Sequence, residues 1–135
     1  MNSYIIKIDT PTYGNDTTML YLNYFNKLGN NKVLSYDNKN GKYKRSITIV
    51  EVDKFAKASS NKTVGQAHVR WNYCLIEIKK GLDNYTYSLV LYHEYLHCLG
   101  YNHTESDEND LMYPSLGWPS LDNIEKYAKD VEKRR

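Results

Sequence analysis

At 135 residues the chain has the size of one ordinary domain, long enough to bury a real core and too short for a second catalytic module. Apolar residues make up 41% and charged residues 25%, a composition that argues against both disorder and a membrane-embedded chain. Eighteen basic residues against sixteen acidic ones leave a formal charge of +2, too weak a field to organise nucleic-acid binding.

Tyr4, Ile5, Ile6 and Ile8 predict a first strand, stopped by Asp9, Thr10 and Pro11. Lys7 breaks this run, so it is too short for the apolar region of a secretory signal, and no stretch approaches a membrane span. The expectation for a complete chain is a monomer that is cytoplasmic or released by a non-classical route; a mature fragment is the other reading. Asp16 or Thr17 then offers an N-cap. Met19, Leu20, Leu22, Tyr24, Phe25 and Leu28 follow at helical spacing until Gly29, and this stripe should pack on a sheet.

Residues 33–36 predict a short strand and 37–41 a polar turn; residues 46–52 form the best strand pattern in the chain. Residues 54–63 read as surface loop, and 65–71 and 74–78 as two further strands. The fourteen tyrosines suit half-buried strands and cleft walls, where the ring is covered and the hydroxyl finds a partner. Cys74 and Cys98 are too few for a secreted disulfide framework and read as small buried thiols. A bridge between them requires the strand at 74–78 to pack on the following helix.

That helix is capped by Asn84 or Thr86. Ser88, Leu91, Tyr92, Tyr95, Leu96 and Leu99 can face the core. Leu89 or Val90, His93, His97 and Gly100 then line a cleft. Four acidic residues at 105–110 read as a solvated loop, since they lack the spacing and glycine of an EF-hand; calcium is unsupported by any motif. Ser120 caps a last helix with Leu121, Ile124, Tyr127, Ala128 and Val131 as its apolar stripe.

The chemistry sits in the segment His93-Glu94-x-x-His97-x-x-Gly100-x-x-His103. Four-residue spacing puts His93 and His97 on one helix face, where two imidazoles can hold one ion. Glu94 lies beside the first ligand, a carboxylate near the metal that need not coordinate it. Gly100 tolerates positive φ, so it can end the helix and swing His103 back as third ligand.

These five residues, with Met112 nine positions after the last histidine, resemble the zinc-binding consensus and Met-turn of the metzincin metallopeptidases. Leu111-Met112-Tyr113-Pro114 looks most like the matrixin branch. The resemblance implies an α+β fold: a twisted mixed sheet of four or five strands, a backing helix, the active-site helix and a C-terminal helix. Residues 1–100 would form an upper subdomain and 101–135 a lower one. It implies one catalytic Zn²⁺ on His93, His97 and His103, water activated by the metal, and Glu94 as general base. Met112 would floor the metal without binding it.

Gly65 and Ala67 resemble the small residues of the edge strand that receives peptide by strand addition, and Pro114 and Leu116 would border the pocket after the cut. The family usually has an aromatic residue where this chain has Leu116. It also uses a strand histidine for a second zinc, but the partners of His68 in that pattern are absent. The implied activity is endopeptidase cleavage of a peptide or protein substrate. Two other readings stay open: a non-catalytic zinc-stabilised binding module, which has no use for Glu94, and a zinc amidase acting on a non-protein amide.

Overall fold

Ile6, Ile47, Ile49, Cys74, Ile76 and Ile78 recur at every second position of their strands, and all are buried. A strand turns alternate side chains to opposite faces, so this period of two gives the sheet one continuous apolar face. The computed structural model describes residues 4–30, 45–56 and 62–134. The strand and turn expected at 33–41 lie outside the described residues.

Four strands form one mixed sheet: β1 (Tyr4–Asp9), β2 (Arg45–Val52), β3 (Gly65–Val69) and β4 (Tyr73–Lys79). Their spatial order is β1-β2-β4-β3. β1, β2 and β4 run parallel, and β3 lies antiparallel to β4 at the sheet edge. Helices α1 (Gly14–Leu28) and α2 (Asn84–Cys98) cover the apolar face, α1 against β1 and α2 against β3 and β4; α3 (Leu121–Lys133) packs on α1. Among the described residues this is an α+β fold with three helices. No helix among the described residues is long and apolar enough to cross a membrane.

Several local expectations are corrected. α1 starts at Gly14, earlier than Asp16, because Thr10 stitches its first turn: Gly14 N donates to the Thr10 carbonyl at 2.7 Å and Thr10 Oγ1 returns to the Gly14 carbonyl at 3.1 Å. Its inward stripe is Thr18, Met19, Leu22, Phe25 and Asn26, whereas Leu20 and Tyr24 are 65% and 48% exposed. Two positions on from Thr18 and Leu22 means about 200° around the helix, hence the opposite face. β3 stops at Val69, since Arg70 N donates to the Tyr73 carbonyl and closes the hairpin. Asp83 takes the cap role expected of Asn84 or Thr86, its side chain accepting from Thr86 N at 3.2 Å.

The two cysteines are not thiols. Cys74 on β4 and Cys98 at the end of α2 form a disulfide, with Cα atoms 5.7 Å apart and both residues wholly buried. Packing of α2 on β4 meets the condition the bridge required, and the bridge ties the histidine-bearing end of the helix to the sheet.

Candidate metal centre

α2 ends in a Schellman motif, and that ending builds the site. Gly100 has φ +100°, Gly100 N donates to the His97 carbonyl at 3.0 Å, and Tyr101 N reaches back to the Leu96 carbonyl at 3.0 Å. Burial of Leu96 and Tyr101 seals the turn. The chain therefore reverses directly below His97 and returns His103 to the helix face. Thr104 N donates to the Met112 carbonyl at 2.9 Å, fastening the residue after His103 to the following turn.

The three Nε2 atoms converge. His93 and His97 lie 3.2 Å apart, His93 and His103 3.3 Å, and His97 and His103 3.0 Å. A tetrahedral zinc ion with Zn–N bonds of about 2.0–2.1 Å spaces its nitrogens about 3.3 Å apart, close to this triangle. His93 Nδ1 donates to the Leu111 carbonyl at 2.7 Å and His97 Nδ1 to the Tyr101 carbonyl at 2.8 Å. A carbonyl only accepts, so each of these Nδ1 atoms carries the proton and each Nε2 presents its lone pair inward. Converging lone pairs repel one another and suit a cation at their focus. Burial pushes His93 down to about 4 and His97 in the same direction, which keeps both rings in the neutral, ligating form. These three histidines can hold a metal ion.

Asp110 is the residue that sequence reasoning missed. It was grouped with the solvated acids of its loop, yet it is buried, accepting from Met112 N at 2.8 Å, Tyr127 Oη at 2.5 Å and Asn123 Nδ2 at 3.0 Å. Asn123 Oδ1 in turn accepts from Leu111 N at 2.9 Å. Asp110 thus fixes the turn whose Leu111 carbonyl orients His93. The signal was present: an Asp commonly bonds the backbone two residues on, and Met112 stands two residues on. Burial alone would raise the Asp110 carboxyl. Tyr127, Met112 N, Asn123 and the nearby Lys126 outweigh it and hold the group below the usual carboxylate range.

Glu94 is buried with 7% exposure, and burial pushes its carboxyl up to about 8. β3 lies against it. A Cβ built on Gly65 would stand 2.5 Å from Val90 Cγ1 and 3.0 Å from Glu94 Oε2, so glycine is required by close approach. A cleft of about 850 Å³ runs between β3 and the segment 113–119, and Gly65, Ala67, the three histidines, Glu94, Pro114 and Leu116 all line it. Met112 is wholly buried in the turn beneath.

The β3 edge can be read from its bonds. Val64 and Arg70 bond Lys79 and Tyr73 of the β4 side. In an antiparallel ladder alternate residues point each way, so the backbones of Gly65, Ala67 and Val69 face away from β4, on the side where no other described strand pairs. His68 does not join the metal cluster; its Nε2 lies 2.5 Å from Glu77 Oε1 across the ladder. Among the described residues no other group of His, Cys, Asp or Glu is gathered closely enough to hold an ion, the acidic loop included. No family model matches the sequence, and no curated protein matches it.

Proposed function

We propose that the chain is a zinc-dependent endopeptidase of the metzincin type, nearest the matrixin branch. The observation that carries the reading is a triangle of three imidazole nitrogens beside a buried carboxylate, in a cleft bordered by a strand edge that no described strand covers. Zinc, when bound, supplies a Lewis acid that polarises a carbonyl and acidifies water.

The chain's own residues do the rest. His93, His97 and His103 would hold the ion, and all three line the cleft. Glu94 accepts a proton at its carboxylate from the attacking water and delivers it to the departing amine nitrogen. Glu94 would be drawn toward its ionised form by a dication on the adjacent histidines, opposing the effect of its burial. Gly65 and Ala67 offer backbone donors and acceptors that hold an extended peptide as an added strand, whatever its sequence. Pro114 and Leu116 border the hollow for the side chain beyond the cut, and buried Met112 would floor the metal.

The reading is tested by incubating an unfolded protein with the chain before and after chelation. Cleavage should stop with the chelator and return with zinc, with new amino termini appearing. Cleavage that persists through exhaustive chelation would exclude the proposal.

A further inference from the structure

Tyr85, Leu89, His93 and His97 follow one another at intervals of four and so form one stripe along α2. His97, His93 and Leu89 line the cleft. The stripe continues one turn further, to Tyr85, whose ring stacks on Trp118 with centroids 5.4 Å apart and planes 20° from parallel. Tyr85 is 45% exposed and Trp118 76%.

A lone exposed aromatic is ordinary, but this one is held. Trp118 N donates to Asn109 Oδ1 at 3.3 Å, Pro119 beside it is buried, and Gly117 is pressed so closely on the Glu108 carbonyl that a Cβ would lie 2.2 Å from that oxygen. The loop is thus fixed while the ring it carries faces solvent, the preorganised arrangement in which aromatic anchors bind best.

We propose that Tyr85 and Trp118 form an outlying subsite of the cleft that takes an aromatic or large aliphatic side chain of a peptide substrate. Two helical turns separate Tyr85 from His93, roughly 12 Å. An extended peptide advances about 3.3 Å per residue, so the recognised side chain lies three to four residues from the bond that is cut. Leu116, Pro119 and Leu121, next to Trp118 in sequence, are apolar, which suits a hydrophobic side chain and not a sugar ring that needs hydrogen bonds about its rim. The inference rests on the endopeptidase reading.

The test is a cleavage profile of the zinc-loaded protein on a randomised peptide library, with Trp71→Ala as control because Trp71 is 87% exposed at the hairpin turn. Aromatic and large aliphatic residues should be enriched three or four positions to one side of the cut. Trp118→Ala and Tyr85→Ala should flatten that enrichment and lower kcat/KM about tenfold for peptides that carry it. Turnover of peptides too short to reach the subsite should be unchanged, as should the whole profile of Trp71→Ala.

Binding gives a second readout: in a Glu94→Gln, Trp71→Phe background, Trp118 fluorescence should change on adding an aromatic-bearing peptide and not its alanine analogue. Cleavage with a flat profile overturns the subsite alone. Absence of cleavage of any peptide by the wild type overturns the endopeptidase reading and the subsite with it. A fluorescence change with a soluble glycan fragment but with no peptide also overturns the subsite.

Discussion

Replacing Gly65 by alanine probes how tightly β3 presses on Val90 and Glu94. The new Cβ would meet Val90 Cγ1 at 2.5 Å and Glu94 Oε2 at 3.0 Å, both on the buried face of a helix that the disulfide restrains. Overpacking of this kind costs about 1–3 kcal/mol. The gain from a less flexible unfolded chain offsets about 0.4–1 kcal/mol of it. A net loss of about 1–2 kcal/mol, in a domain of this size, lowers Tm by about 3–8 °C. Scanning calorimetry of Gly65→Ala, Val90→Ala and the double variant measures the effect and its origin. Removing Cγ1 opens the space the new methyl needs, so the double variant should be more stable than the sum of the singles by about 1 kcal/mol. The single variant should also lose turnover, because Glu94 must yield. An unchanged or raised Tm for Gly65→Ala, or strict additivity in the double variant, would refute the close approach of β3 to α2.

Glu94→Gln should raise the stability of the metal-free protein at neutral pH and abolish turnover by the zinc-loaded one. The folded carboxyl titrates near 8 against 4.5 in the unfolded chain, so the folded state holds the extra proton between these values and loses stability as pH rises through them. The glutamine variant escapes this loss; urea unfolding should show the two curves diverging across that window, to about 3 kcal/mol at pH 7. Asp110→Ala removes the acceptor of Met112 N, Tyr127 Oη and Asn123 Nδ2 and should cost about 2–4 kcal/mol, with zinc affinity falling about 10- to 100-fold by titration calorimetry. The lowered Asp110 also gives an acid limb: its contribution is complete above the unfolded value of 3.8 and is lost as pH falls through the folded one, a limb absent from Asp110→Ala. Reducing Cys74–Cys98, whose cysteines are 24 positions apart in sequence, should cost about 3.5 kcal/mol, seen as a lower urea midpoint with reductant.

The parts of this molecule that local rules govern were readable from the chain. Ser120 caps α3 with its side chain accepting from Asn123 N, as its position before the apolar stripe implied. The histidine spacing and Gly100 foretold a helix face and a reversal, and the triangle of nitrogens follows from both. What escaped depends on partners distant in sequence. Leu20 and Tyr24 fit a helical stripe on paper, but only α1's packing decides which way that stripe turns. The Cys74–Cys98 bridge needs β4 beneath α2, which no spacing encodes. Asp110 looks like its acidic neighbours until α3 brings Tyr127 and Asn123 onto it.

The most direct test compares zinc content and peptide hydrolysis in the same preparations of the wild type and Glu94→Gln. One zinc per chain in both, with new amino termini produced by the wild type alone, is the result expected of three ligating imidazoles beside a proton-carrying carboxylate. Equal hydrolysis by the two proteins, or a wild type that takes up no zinc, would contradict it.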